Sequence, residues 1–128
     1  MTPARDKHTA GKPVFSLPVD KVFEAAYLPS PAAKRDRLVS PAWAPNSAGI
    51  SGIALALVIT CELDQLHDEG VAYVGMLAAA GALSGHVDLA GVDHGYNIRG
   101  GARALVEDSY AQIAKHVTAA TAGAGDLL

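Results

Sequence analysis

The chain has 128 residues, half of them apolar and only 5% aromatic, with a net charge of −3. That length allows at most one domain, and the composition is that of a globular chain, not a disordered one. The acidic balance offers no basic field for phosphates and so argues against nucleic-acid binding, and the single cysteine, Cys61, excludes an intramolecular disulfide.

The opening MTPARDKHTAGKP is polar and rich in breakers, with no apolar run behind its basic residues, so a signal peptide is not expected. Residues 1–12 are read as a disordered N-terminus. In VDKVFEAAYL, Val22, Phe23, Ala26 and Tyr27 recur at helical spacing behind Asp20, a candidate N-cap. The next stretch, PSPAAKRDRLVSPAWAPNSAGISG, carries four prolines and two glycines and reads as an irregular crossing segment.

The run IALALVIT, from Ile53, is short and contains β-branched residues without polar alternation. It fits a parallel strand covered on both faces. It is far too short to span a bilayer, so a soluble cytoplasmic chain is the expectation. It runs directly into a cluster of acids: Glu62, Asp64, Asp68 and Glu69. DEGVAYVGMLAAAG then places Val71, Val74, Leu77 and Ala78 on one helical face, with Asp68 as N-cap and Gly81 as the stop. HVDLAG alternates weakly as a second strand. GARALVEDSYAQIAKHV forms an amphipathic helix along Val106, Tyr110, Ile113 and Val117, and residues 120–128 are a flexible small-residue tail.

Alternating strands and helices in the second half predict an α/β chain with a parallel sheet. In open sheets of that kind, functional groups gather beyond the C-terminal ends of the strands. Asp64 follows the first strand and Asp93-His94-Gly95 the second, so an acid and a histidine are expected on one sheet edge. A carboxylate in that position can hold an imidazole in one tautomer and stabilise its protonated form.

The quoted motifs resemble the C-terminal part of the hormone-sensitive-lipase-like esterases, a family of α/β-hydrolase fold. Asp64-Gln65-Leu66-His67-Asp68-Glu69-Gly70 is similar to the family's D-x-L-x-D-E-G, Glu69-Gly70-Val71-Ala72-Tyr73 to its E-G-x-x-Y, and His94-Gly95-Tyr96 to its H-G-[FY]. The resemblance covers roughly Leu17 to Val117. It implies a fold made of the last two parallel strands of a hydrolase sheet and their helices (49–119), preceded by a lid-derived segment (13–48). It also implies Asp64 as triad acid, His94 as general base and a small carboxylic ester as substrate, with no cofactor.

The family's nucleophile elbow, G-D-S-A-G-G, and its oxyanion loop, H-G-G-G, are absent from the sequence. Asn46-Ser47-Ala48-Gly49 echoes the elbow, but Pro45 stands where the strained turn needs glycine, so Ser47 is a decoy. The expectation is a chain inactive on its own, which when expressed alone is marginally stable, self-associates or needs an N-terminal partner. The alternatives are a non-catalytic remnant or interaction module of α/β type, and a small receiver- or flavodoxin-like module. The last has too few strands and no phosphate-cradling loop.

The remaining polar residues have plainer readings. His67, Asp68, His86, Asp88 and Asp93 lack metal-ligand spacing, so no metal site is expected. Cys61 reads as a small buried hydrophobe. Glu62, Glu69, His8 and His116 read as solvated, Asp93 as a turn residue and Tyr96 as packing beside His94.

Overall fold

The computed structural model describes residues 17–28, 30–43, 49–100 and 102–122, with backbone only for 17–20. Helix α1 spans Leu17–Tyr27, strand β1 Ala56–Cys61, helix α2 His67–Ala79, strand β2 Leu83–Leu89 and helix α3 Arg103–Ala122. The order strand, helix, strand, helix in the second half is the one the sequence pattern predicts.

β1 and β2 pair in parallel, with Val58 opposite His86, Thr60 opposite Asp88 and Cys61 opposite Leu89. The ladder extends past both strands, through Ala56 N–H to Ala82 O (2.8 Å) and Glu62 N–H to Leu89 O (3.0 Å). A register shift between Ala56 and Leu57 makes Ser84 an extra residue on β2. Because side chains alternate along a strand, Thr60 and Asp88 share one face and Ile59 and Cys61 the other.

α2 packs on the Thr60 face. Its Gly70 lies so close that a Cβ there would be 2.9 Å from Thr60 Cγ2. Leu77 on the same helix is fully buried, and the helix ends at Gly81, whose φ of 66° carries the chain into β2. The rest of the apolar core is Ile50, Cys61, Ala82 and Leu89. None of the described helices is long and apolar enough to cross a membrane.

Several local expectations change. α1 begins before Asp20, which therefore lies inside the helix and is not its cap. The stripe of Val22, Phe23 and Tyr27 is helical but more than half exposed. The crossing segment contains a 3-10 turn, Pro31–Arg35, where Ser30 Oγ accepts from Ala33 N–H and proline opens the turn. β1 starts three residues later than Ile53 and includes Cys61.

Asp68 is not the cap of α2 but sits in its first turn, where a negative charge favours the helix dipole. The cap position is Leu66, with no side-chain bond of its own. The buried face of α2 runs through Gly70 and Leu77, and Val71 and Ala78 stay exposed. α3 continues to Ala122, so the small-residue tail is helical for its first three residues. Its stripe of Tyr110, Ile113 and Val117 stays at least 39% exposed, and the buried residue is Ser109, whose hydroxyl donates to Leu105 O at 2.7 Å. The N-terminal stretch 1–12, His8, Ser47 and residues 123–128 lie outside the described residues.

Candidate active site

The turn after β1 is built by backbone bonds and one carboxylate. Asp64 N–H donates to Cys61 O and His67 N–H to Asp64 O, both at 3.0 Å. Asp64 Oδ1 accepts from Leu66 N–H at 2.9 Å, an Asx-turn that fixes the side chain and leads the chain into α2. One oxygen of Asp64 thus holds its own loop while the other points across to the loop after β2.

That second loop turns at Gly91 and Gly95, both left-handed at φ 71° and 72°. Glycine occupies this region without the steric penalty a Cβ would bring. Between them, His94 N–H donates to Asp93 Oδ1 at 2.6 Å, and Asp93 stands just before the turn that opens at His94. Ile98 N–H and Arg99 N–H both reach Gly95 O, which closes the following turn.

The two loops meet at a hydrogen bond of 2.8 Å between His94 Nδ1 and Asp64 Oδ2. Asp64 is largely buried, its side chain 13% exposed, and His94 is 39% exposed. With Nδ1 carrying the proton toward the carboxylate, the ring is held in one tautomer and Nε2 is its basic nitrogen. The pair borders an open depression of about 520 Å³, walled by Ile59, Cys61, Tyr96, Asn97, Tyr110 and Ile113. Asn97 Nδ2–H donates to Tyr110 Oη at 3.2 Å, linking the His94 loop to α3.

A second polar group lies on the α2 face of the sheet. The Thr60 hydroxyl donates to Asp88 Oδ1 at 2.7 Å and lies 2.8 Å from His86 Nε2, which can donate to it. His67 Nε2 reaches both oxygens of Asp88 at 3.1 and 3.2 Å, and its Nδ1 lies 3.2 Å from Asp68 Oδ1. The hydrogen bond that His67 donates to Asp88 raises the pKa of His67 above its usual range, and the bonds Asp88 accepts, from Thr60 first and then His67, lower that of Asp88. His86 and Asp88 share a face as the alternation predicts. Even so, no three His, Cys, Asp or Glu side chains among the described residues are grouped to hold a metal ion.

Two residues read as solvated have structural partners, and a third is less exposed than that reading implies. Glu62 Oε2 accepts from Gly91 N–H at 2.7 Å. His116 Nδ1 shares a 2.8 Å hydrogen bond with Ser84 Oγ, and Glu69 is half-buried. The glycines at Gly91 and Gly95 announce the turn, but not its pairing with Glu62, and no local pattern announces the register shift that sets Ser84 beside His116. Cys61 is buried as expected, and its thiol is pushed up to about 11 by burial first and then by Asp64, Asp93 and Asp88.

The sequence model of a family described as alpha/beta hydrolase fold matches residues 1–98. The carboxylesterase NlhH of Mycobacterium tuberculosis, from two strains, is 33% identical over 72 residues, covering 56% of this chain and 23% of the relative. Two crystal structures of mutants of the esterase rPPE superpose with TM-scores of 0.55 and 0.56 at 31% and 30% identity. One of these holds (S)-Ac-CPA. They cover 65% and 66% of this chain and 26% of theirs. The chain thus spans about a quarter of the length of the relatives it matches. With 98 of its 128 residues matched, and its two strands paired in parallel with helices packed on them, the chain belongs to the α/β-hydrolase fold family, on its hormone-sensitive-lipase-like branch.

Proposed function

We propose that Asp64 and His94 are the acid and base of a carboxylic-ester hydrolase site, and that the nucleophile comes from a segment outside these 128 residues. The observation that carries this reading is the 2.8 Å bond from His94 Nδ1 to Asp64 Oδ2 at the C-terminal edge of a parallel strand pair. The esterase names of the relatives support the substrate class.

In this reading Asp64 keeps His94 in the Nδ1–H tautomer and stabilises the imidazolium once it forms. His94 Nε2 takes the proton of a serine hydroxyl as that oxygen attacks the ester carbonyl. The imidazolium then gives the proton to the leaving alcohol, an acyl-enzyme remains, and His94 activates the water that releases the acid. Losing the serine of such a triad lowers turnover on the order of a million-fold. The chain alone is therefore expected to be inert toward short-chain p-nitrophenyl esters, as is its His94→Ala variant.

A chimera tests the assignment directly. The chain would replace the matched C-terminal part of the Mycobacterium carboxylesterase, which supplies the upstream residues. The folded chimera is expected to hydrolyse p-nitrophenyl butyrate, and Asp64→Asn to lower its turnover about 10⁴-fold by allowing the wrong tautomer. An active chimera whose rate ignored both Asp64→Asn and His94→Ala would refute the assignment. A folded chimera with no activity would favour a non-catalytic role for this segment.

A further inference from the structure

The acid and the base stand on different loops, and a pair on two loops is only as well aligned as the loops are with each other. Among the described residues, three hydrogen bonds join them beside the pair. Two are backbone bonds, Glu62 N–H to Leu89 O and Leu63 N–H to Val92 O, each 3.0 Å. The third is the only one of the three made by a side chain, Gly91 N–H to Glu62 Oε2 at 2.7 Å. Glu62 precedes Asp64 by two residues, and Gly91 precedes His94 by three. Gly91 adopts the left-handed conformation, so the turn after β2 presents its N–H to the carboxylate. A bond from a backbone N–H to an ionised carboxylate is shorter and stronger than one between neutral groups.

We infer that Glu62 is a positioning residue: its carboxylate straps the His94 loop to the Asp64 loop at Gly91 and so holds the imidazole in register with Asp64. The inference rests on the proposed roles of Asp64 and His94. Glu62 touches neither side chain and acts through the backbone of the turn. What the strap needs is an acceptor oxygen at that point, which glutamine also provides and alanine does not.

The test is nuclear magnetic resonance on the full chain with ¹⁵N-labelled histidine, which follows the exchange with water of the proton on His94 Nδ1. Glu62→Ala is expected to speed that exchange about tenfold, the order corresponding to loss of one charge-assisted bond at an exposed site. Glu62→Gln is expected to speed it only about threefold, because its acceptor oxygen remains while the charge that strengthens the bond does not. Both variants should keep the amide pattern of the β1–β2 ladder.

Unchanged exchange in Glu62→Ala, with faster exchange in Asp64→Asn, overturns the strap and leaves the Asp64–His94 pair standing. Unchanged exchange in Asp64→Asn overturns the pair and the inference together. Loss of the ladder's amide pattern in Glu62→Ala also counts against it, since Glu62 would then stabilise the sheet as a whole.

Discussion

Cys61 shows how one residue's surroundings decide its chemistry. It ends β1, borders the same depression as His94 and is 8% exposed. Position alone would make it a rival nucleophile. Burial and three neighbouring carboxylates disfavour its thiolate, moving its pKa from 9.0 to about 11. Near neutral pH that leaves about 100-fold less thiolate than an ordinary cysteine has, and the thiolate is the reactive form. Modification by a disulfide reagent is therefore expected to be at least about 100-fold slower in the native chain than in denaturant. Equal rates in the two states would show that Cys61 is neither buried nor surrounded by these acids.

At the scale of elements, the contact between α2 and the sheet is tightly constrained at Gly70. Thr60 Cγ2 fills the space a side chain at Gly70 would need, and Thr60 is β-branched and held by hydrogen bonds to Asp88 and His86. Overpacking there costs about 1–3 kcal/mol, against a helix-propensity gain of about 1 kcal/mol for alanine. Gly70→Ala is thus expected to be net destabilising by about 1 kcal/mol. Gly75→Ala, with nothing within 4 Å, should instead stabilise by up to about 1 kcal/mol; urea unfolding of both variants checks the contrast.

The first turn of α2 is tied to β2 by the His67–Asp88 pair, and this joint depends on pH. His67, with its pKa raised above the usual 6.5, contributes fully below that value and loses its contribution as pH rises through the raised one. Asp88, lowered from 3.8, contributes fully above that value and loses its contribution as pH falls through the lowered one. Asp68 and His86 also face this group and reshape the limits. The pair is therefore at full strength between 3.8 and 6.5. The stability difference between wild type and His67→Gln should be larger at about pH 5.5 than at about pH 8.5. A difference independent of pH would mean that His67 contributes by packing alone.

For the whole molecule, the decisive feature is how little of the apolar surface is covered. Among the described residues the sheet has two strands, so each keeps one unpaired edge, and Ile53 and Leu55 beside β1 are 42% and 59% exposed. The apolar stripe of α3 is similarly open. Two strands are seldom independently stable, and an open apolar edge is a template for pairing with another chain. The purified chain is expected to sediment with a concentration-dependent coefficient, and Leu55→Lys to weaken that association by placing a charge beside the edge. A concentration-independent monomer with a cooperative, high-melting transition would contradict this.

The sequence by itself determined the elements and the acid–histidine edge. A parallel strand, its flanking helix and the motifs at its end are all local patterns, although β1 is buried only at Thr60 and Cys61 and is not covered on both faces as its apolar run predicts. Parallel pairing puts Asp64 and His94 on the same edge. Tertiary structure alone decided which exposed-looking residues have partners. Glu62 with Gly91, Ser84 with His116, and Thr60 with His86 and Asp88 join positions 26 to 32 residues apart. They exist because of a strand register, a one-residue shift and a left-handed turn. Those features follow from how the segments pack together, which no single segment encodes.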